Sequence, residues 1–269
     1  MATIHHELAP AKLTRTLRIT GRRADGYHLL SSEMVAVDLA DELEIEEGPS
    51  ALEVEDRIAW VYSGTGRPGL DVPVDASNLV LRALSLCGRQ ARIHLIKHIP
   101  ARAGLGGGSS DAAAVLRWAG FQREVEAATL GADVPFCVRG GRAVVTGIGD
   151  VVEPLGDEDL HFVVVAPGFG VATPDVYRAF DELGAGDASS GNDLEHAALA
   201  VEPRLLRVRE EMSVVAGRRP TLAGSGASYF FECDERDRDA LAESLRISFL
   251  QAREPVVVTA CRSVAREVS

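Results

Sequence analysis

Alternating hydrophobic and polar positions are the main pattern in the first hundred residues of the chain. The alternation over residues 13–20, 34–45, 51–64 and 91–99 predicts four strands, because successive side chains of a strand point to opposite faces. A turn built around Asp25-Gly26 separates the first strand from the second. This part of the chain is therefore expected to form a sheet.

Helical spacing of apolar residues appears between and after these strands. It predicts one helix over 78–88, a second over 109–120 that begins at its two serines, and a short one over 124–129. Residues 130–155 predict a turn followed by strand-like runs punctuated by glycine. The first half thus combines strands with a few helices.

The second half predicts separate strands and helices of its own. Its strands are expected at 161–168, 255–261 and on both sides of a glycine loop in 220–233; its helices are expected at 173–183, 235–247 and, broken near Pro203, in 192–215. Segregated strands and helices with antiparallel signals predict an α+β protein of two halves. The polar segment at 156–159 divides the chain into predicted domains 1–156 and 157–269.

Charge and composition exclude several classes of protein. The net charge of −12, with basic residues scattered along the chain, argues against a nucleic-acid-binding surface, which would gather positive charge. No apolar run is long enough to span a membrane, and the N-terminus lacks a signal pattern, so we expect a cytoplasmic protein. The four dispersed cysteines fit reduced thiols better than disulfides.

Two histidines and two lysines are candidate functional residues. His94 and His98 have the spacing of helical metal ligands, but they lie in a strand pattern, which favours two edge histidines over a metal site. The 28 basic residues include only two lysines, Lys12 and Lys97. Because a lysine is a compact cation with three rotatable donors, its rare use in an arginine-rich chain makes both positions candidates for function.

A glycine-rich stretch, PARAGLGGGSSDAAA, lies between a predicted strand and a predicted helix. The free N–H groups of a helix N-terminus, together with glycine backbone, form an anion site, and Ser109 and Ser110 can cap the helix or donate hydroxyls. The stretch matches neither the Walker A motif nor the dinucleotide fingerprint. The alternatives are phosphate binding, a flexible loop, and a helix start packed tightly on a sheet through Ala112, Ala113 and Ala114.

Four motifs taken together resemble one family across almost the whole chain. ELAPAKLTRTLRITGRRADGYHLL, PARAGLGGGSSDAAA, LGADVPFCVRG and LAGSGAS occur in the order typical of GHMP-type small-molecule kinases. GRRADGYH and GADVPFCVRG are most similar to the members that phosphorylate a cytidylated methylerythritol. The resemblance implies an N-terminal domain like ribosomal protein S5 domain 2, a ferredoxin-like C-terminal domain, and an active site between them.

The resemblance also implies the reaction and its catalytic residues. ATP would give its γ-phosphoryl group, with Mg²⁺, to the 2-hydroxyl of the methylerythritol unit. Asp133 resembles the catalytic base and Lys12 its charged partner, and phosphoryl transfer does require a proton acceptor and charge neutralisation. From the residues alone, Asp133 could instead cap a turn before Val-Pro and Lys12 could be an exposed charge.

The other site residues fall into two groups by resemblance. The nucleotide side comprises Gly104, Leu105, Gly106, Gly107, Gly108, Ser109 and Ser110 around the triphosphate, with Asn78 and Lys97 near the base. On the substrate side, Tyr27 would stack on the cytosine, His28 would hydrogen-bond its edge, and Tyr177 would close its other side with Thr173 beside it. Core packing is the alternative for both tyrosines. The resemblance does not identify the residues that would bind Mg²⁺.

Two departures from the family pattern keep other functions open. Thr14 stands where the family usually has asparagine in contact with the substrate, and the segment 119–130 is short for the usual helix pair. A threonine hydroxyl cannot offer the donor and acceptor of an amide together. The alternatives are a kinase of another small alcohol and a catalytically silent nucleotide-binding homologue. The protein is expected to be a monomer or a homodimer.

Overall fold

A computed structural model describes residues 3–62, 68–121, 123–184 and 190–266. The strands of this part are β1 (Ile4–Arg22), β2 (His28–Glu47), β3 (Ala51–Asp56), β4 (Trp60–Val61), β5 (Ala91–Lys97), β6 (Arg142–Gly147), β7 (Val151–Pro154), β8 (His161–Pro167), β9 (Thr221–Leu222), β10 (Tyr229–Cys233) and β11 (Val256–Arg262). The helices are α1 (Leu79–Cys87), α2 (Gly107–Trp118), α3 (Glu124–Ala127), α4 (Val134–Arg139), α5 (Thr173–Leu183), α6 (Glu195–Val201), α7 (Arg204–Ala216) and α8 (Glu235–Ala252).

The first sheet is organised around the long strand β2. It pairs antiparallel with β1 over nearly its whole length, with β6 over residues 30–35 and with β5 over residues 42–47. β3 lies parallel to β5, and β7 pairs with β6. Helices α1, α2 and α4 pack against this sheet through an apolar cluster that includes the run Ala112–Leu116 of α2.

The second sheet has the order β4, β11, β8, β10, β9, and its paired strands are antiparallel. Its β4 strand comes from the first half of the chain. The prediction of one strand over 51–64 is therefore wrong: β3 joins the first sheet, the chain turns at 57–59, and β4 joins the second. Residues 63 and 64 of that prediction lie outside the described residues.

The facing surfaces of the two sheets pack together through another apolar cluster. Leu13 and Val35 of the first sheet pack in this cluster with Phe162 and Phe230 of the second. Phe162 and Phe230 meet edge to face, with ring centroids 5.8 Å apart. A further cluster joins the other face of the second sheet to helices α5 to α8. The mixed helices and sheets confirm the predicted α+β class, whereas the domain boundary at 156 stays a prediction.

Two local predictions were wrong. Residues 134–139 form the short helix α4 and not a turn leading to a strand; Pro135 lies in its first turn, where a missing N–H costs nothing, and Gly140 ends it. Helix α2 begins at Gly107, with Gly106 as its N-cap, so Ser109 and Ser110 lie inside its first turn and do not cap it. No helix in the described ranges is long and apolar enough to cross a membrane.

Candidate active site

A single cleft collects the residues that the sequence predicted. Its volume is about 1130 Å³, and it is lined by the glycine-rich loop, the middle of β1, the 25–28 turn, the start of α1, residues 132–133 and one face of α5. Every predicted site residue lines it except Ser110. Residues that are more than a hundred positions apart in sequence thus meet in one space.

Lys12 and Asp133 lie together in the cleft. Their Nζ and Oδ2 atoms are 3.4 Å apart, and Lys12 Nζ also donates to Thr14 Oγ1 at 3.2 Å. Lys12 and Thr14 are buried, whereas the side chain of Asp133 keeps about a third of its surface exposed, at 32%. Asp133 is the N-cap residue of α4, but its carboxylate makes no capping bond. The capping alternative therefore does not explain this side chain.

Two glycines enclose the Lys12 side chain. A Cβ at Gly106 would lie 2.8 Å from Lys12 Cγ, and one at Gly224 would lie 3.3 Å from its Nζ. Both glycines have positive φ, 71° and 61°, which other residues rarely adopt. The glycine-rich loop and the C-terminal glycine loop 224–228 thus leave just enough room for the ammonium to reach Asp133.

The glycine-rich loop is fixed by backbone contacts on both sides. Lys12 N donates to Leu105 O, and Ser228 N donates to Ala103 O, both at 2.9 Å. A Cβ at Gly104 would lie 2.5 Å from the carbonyl oxygens of Ala223 and Gly226, so this position tolerates only glycine. The first N–H groups of α2 follow directly, and helix geometry leaves them without intrahelical acceptors. Free N–H groups of this kind at the wall of a cleft are typical of anion sites.

The two serines after the glycines have different surroundings. Ser109 lines the cleft, and its Oγ lies near the turn that carries Asp133. Ser110 is fully buried and its Oγ donates to Pro10 O at 2.7 Å. This hydroxyl therefore ties α2 to β1, and the place of Ser110 in the triphosphate loop stays a prediction.

Lys97 is buried in a cluster with two carboxylates. Its Nζ donates to Asp41 Oδ2 and, at 2.7 Å, to Asp111 Oδ2. Burial disfavours the charged carboxylate and raises the pKa of Asp111 to about 7, although the charge of Lys97 acts to lower this pKa. Burial alone would lower the pKa of Lys97, but the two carboxylates outweigh it, so the pKa of Lys97 is raised. The raised pKa of Asp111 and the raised pKa of Lys97 have one cause, because one ammonium cannot fully neutralise two buried carboxylates. Asp111 Oδ1 has no hydrogen-bond partner among the described residues.

Asn78 closes the same wall of the cleft. Its Oδ1 accepts from Val80 N at 2.8 Å as the N-cap of α1, and its Nδ2 donates to Pro73 O at 2.7 Å. It therefore holds the 73–78 segment onto the start of the helix. Its side chain has a structural task as well as its place in the cleft.

The opposite end of the cleft is built around His28. The imidazole stacks on Tyr177, with ring centroids 5.0 Å apart and 25° between planes, and meets the Phe180 ring edge-on at 5.8 Å. Its Nε2 lies 2.7 Å from Asp181 Oδ1. Tyr27 is 62% exposed at the rim. Burial, together with the charge of Asp133, raises the pKa of Tyr177 to about 12.

Thr173 is the first residue of α5, the helix that also carries Tyr177 and Asp181. Its Oγ1 is hydrogen-bonded to Ser225 Oγ at 2.8 Å, which joins α5 to the C-terminal glycine loop. The predicted substrate-side residues thus lie together, but Tyr177 rests against His28 itself.

Sequence reasoning missed Asp41, Asp111 and Asp181. Asp181 follows Tyr177 by four positions, so the helical face of Tyr177 could have identified it. Asp41 carried no local signal, because its partner Lys97 is 56 positions away. Within the described ranges, no group of three or more His, Cys, Asp or Glu could hold a metal ion.

Comparison with known proteins first defines the class. The GHMP kinase N-terminal domain model matches residues 74–151. A crystal structure of homoserine kinase from Cytophaga hutchinsonii has the same fold, with a TM-score of 0.64 and 17% identity over 99% of this chain and 96% of that one. Fold and site make this chain a small-molecule kinase of the GHMP class.

Relatives of higher identity define the family. The chain is 39% identical to 4-diphosphocytidyl-2-C-methyl-D-erythritol kinase of Paracoccus denitrificans over 83% of its length and 85% of the relative, and 38% identical to that of Cereibacter sphaeroides over 88% and 93%. A crystal structure of 4-(cytidine 5'-diphospho)-2C-methyl-D-erythritol kinase matches with a TM-score of 0.72 and 33% identity, covering 97% of this chain and all of that one. The chain belongs to the 4-diphosphocytidyl-2-C-methyl-D-erythritol kinase family, which confirms the predicted resemblance and fold.

Proposed function

We propose that the protein transfers the γ-phosphoryl group of ATP to the 2-hydroxyl of 4-(cytidine 5'-diphospho)-2-C-methyl-D-erythritol, in non-mevalonate isoprenoid biosynthesis. The observation that carries the proposal is one cleft that combines a helix N-terminus, a lysine–aspartate pair and an imidazole among aromatic rings. Its volume of about 1130 Å³ exceeds that of a typical site for one small ligand, about 300–1000 Å³, and suits two nucleotide-sized substrates.

Backbone groups would bind the triphosphate. The N–H groups of Gly107, Gly108 and Ser109 lie at the start of α2, where the helix dipole favours an anion. Gly104, Leu105 and Gly106 would let the loop approach the phosphates closely, and Ser109 Oγ would add a donor. Asn78 and Lys97 would lie behind the base, Lys97 mainly as part of the wall, because its ammonium is held by Asp41 and Asp111.

Asp133 and Lys12 would perform the chemistry. The Asp133 carboxylate accepts the proton of the attacking hydroxyl, since none of its acceptor capacity is used in capping α4. Lys12 forms an ion pair with that carboxylate at 3.4 Å and neutralises charge that develops on the transferred phosphoryl group. Thr14 orients the ammonium through its hydroxyl. The buried position of Lys12 makes this charge more effective than it would be in water.

Mg²⁺ fits this arrangement as a companion of the phosphates. Ser109 Oγ and the Asp133 carboxylate both line the cleft and would supply oxygen ligands, since Mg²⁺ generally takes one or two protein oxygens with phosphate oxygens and water. When bound, the ion would neutralise charge on the phosphates. We also expect the protein to act in the cytoplasm as a monomer or homodimer, without a nucleic-acid or membrane partner.

The cytidine would occupy the His28 end of the cleft. Tyr27, at the exposed rim, offers a face for stacking, and His28 offers a ring edge for hydrogen bonds. Tyr177 would support this arrangement by holding the imidazole, and Thr173 would line the passage towards the C-terminal glycine loop.

An ADP-release assay tests the proposal. The purified protein is expected to phosphorylate the cytidyl substrate and to leave homoserine and mevalonate unchanged. Lys12→Ala and Asp133→Asn should each lower kcat by about 10² to 10⁴, because each removes a group that acts in the transition state. Asp159→Asn, which changes a carboxylate 76% exposed and remote from the cleft, is the matched control and should retain activity.

Two outcomes would reject the proposal. Turnover of another alcohol without turnover of the cytidyl substrate would assign a different acceptor. Binding of the cytidyl substrate and ATP without any turnover would indicate a silent homologue.

A further inference from the structure

Three side chains of α5, a helix that packs on the second sheet, contact His28. Tyr177, Phe180 and Asp181 of α5 supply a stacked ring at 5.0 Å, an edge-on ring at 5.8 Å and a carboxylate at 2.7 Å. The spacing i, i+3, i+4 puts all three on one face of the helix. The side chain of His28 is only 9% exposed, so its ring has little freedom to turn. Its orientation is therefore fixed before any substrate arrives.

The carboxylate determines which ring nitrogen carries the hydrogen. An ionised carboxylate has no hydrogen to donate, so Nε2 of His28 must be the donor to Asp181 Oδ1. In the uncharged imidazole the other nitrogen, Nδ1, is then an acceptor. No protein group in the described part of the chain is bonded to Nδ1, and His28 lines the cleft. The site thus offers a ligand one acceptor at a fixed place.

Arg22 fixes the carboxylate in turn. Its Nη2 lies 3.3 Å from Asp181 Oδ2, so one oxygen of Asp181 faces a guanidinium and the other faces His28. The Arg22 guanidinium can only donate hydrogen bonds, so the Asp181 atom that faces it must be an acceptor oxygen. Arg22, Asp181 and His28 form a chain with a defined direction of hydrogen bonding that ends at Nδ1.

We propose that Asp181 is a positioning residue that makes His28 select cytosine over uracil. An acceptor at Nδ1 complements the 4-amino group of cytosine, whereas uracil presents a carbonyl oxygen at that position and would face it acceptor to acceptor. Sites that hydrogen-bond one substrate group discriminate strongly against a substrate with the wrong group. This inference rests on the proposed function, because it assumes that the pyrimidine binds at the His28 end.

Nitrogen NMR of the ligand-free protein tests the first step without any substrate. At pH 8, with the imidazole ¹⁵N signals of His28 assigned by comparison with His28→Gln, we expect hydrogen on Nε2 and a bare Nδ1. A hydrogen on Nδ1, or on both nitrogens, would overturn the proposal whatever the enzyme phosphorylates.

Asp181→Asn tests the second step. Its side-chain oxygen must still accept from Arg22, so its NH₂ group faces Nε2, and the ring hydrogen moves to Nδ1. The ratio of kcat/KM for the cytidyl substrate over its uridyl analogue should fall at least tenfold, mainly through a higher KM for the cytidyl substrate. Asp175→Asn is the matched control, since Asp175 lies on the same helix and pairs with Arg178 instead. It should retain the parent ratio.

Binding separates the possible failures. If the parent turns over neither substrate, the proposed function fails, and calorimetric titration with CDP and UDP still measures the selectivity of the site. Equal affinity of the parent for both, or an unchanged ratio in Asp181→Asn, would overturn the role of Asp181 alone. A fall in unfolding temperature without a change in the ratio would assign Asp181 a merely structural role, which also rejects the proposal.

Discussion

The two lysines of the chain both line the cleft, but they have different electrostatic surroundings. Lys97 is neutralised by two buried carboxylates, whereas Lys12 faces one carboxylate that stays partly in solvent. Moving the Lys97 ammonium towards a ligand would leave Asp41 and Asp111 unpaired, which is costly for buried charges. Lys12 is therefore the ammonium that a developing negative charge can reach. The rarity of lysine in the sequence indicates a function for both residues but does not distinguish their roles.

Gly106→Ala tests how closely the glycine loop confines Lys12. The added methyl would lie 2.8 Å from Lys12 Cγ at a residue with positive φ, so the lysine stem or the loop must move. We expect kcat to fall at least tenfold, in addition to a backbone cost of about 1–2 kcal/mol in the free energy of unfolding. Gly120→Ala carries a similar φ with nothing within 4 Å and should show the backbone cost alone. Equal kcat in both variants would contradict this account.

The buried cluster gives stability a pH dependence of known sign. The folded pKa of Asp111 is about 7 because of burial, well above the value of 3.8 for an unperturbed group. Between these values the folded protein keeps a proton that the unfolded chain releases, so this group's stabilisation is present in acid and is lost as pH rises towards 7. The fall in unfolding temperature from pH 5 to pH 8 should be smaller in Asp111→Asn than in the parent. Asp175→Asn, at a carboxylate paired with Arg178, should follow the parent; an Asp111→Asn slope equal to the parent's would refute the assignment.

At the scale of elements, both predicted ends of helix α1 agree with the structure, whereas the predicted serine cap of α2 does not. Asn78 caps α1 and Gly88 ends it in the left-handed conformation, so these two residues mark the ends of the helix predicted over 78–88. Helix α4 was missed because a six-residue segment with proline near its start has too few positions to show a helical period. Such a helix depends on tertiary packing, here on buried Phe136 and Cys137.

Asn78 allows the capping bond and the loop contact to be separated. Asn78→Ala removes both hydrogen bonds and should lower the free energy of unfolding by about 1–2 kcal/mol in urea titrations. Asn78→Asp keeps the acceptor for Val80 N but cannot donate to Pro73 O, so it should lose less stability. Both variants should raise the KM for ATP through the loosened 73–78 segment. Stability of Asn78→Ala equal to the parent would rule out the cap as a significant contribution.

At the scale of the whole molecule, one charged residue of β1, Arg15, contacts both sheets. Its guanidinium bonds to Glu33 of β2 and, at 2.7 Å, to Glu232 of β10, so it links the two sheets. Glu33 also accepts from Arg142 of β6 at 2.7 Å. This network lies at the edge of the apolar layer between the sheets, where a charged side chain on β1 can reach both of them.

Arg15→Met tests this link. The loss should be about 1–2 kcal/mol in the free energy of unfolding, more than for an exposed pair, because Arg15 is only 18% exposed and leaves Glu33 and Glu232 without one partner. Salt at 1 M should destabilise the parent more than the variant, since screening weakens the same charges. Arg236→Met, at a side chain 81% exposed, should change stability very little. An equal effect of the two substitutions would argue against a network between the sheets.

The sequence by itself determined most of the local elements and the residues of the candidate site that belong to motifs. Strands such as β5 and helices such as α5 follow from periodicity within a few residues, and the glycines that admit Lys12 to the cleft are visible as a motif. These features could be predicted because their physical causes lie close together in the chain.

Tertiary structure alone decided what surrounds those residues. Lys97 meets Asp41 across 56 positions, His28 meets Asp181 across 153, and Arg15 meets Glu232 across 217. The assignment of β3 and β4 to different sheets is of the same kind. No local pattern encodes such contacts, because they exist only after the two apolar layers have brought the sheets and helices together. The positions of the charges and ring nitrogens in the cleft are therefore properties of the fold.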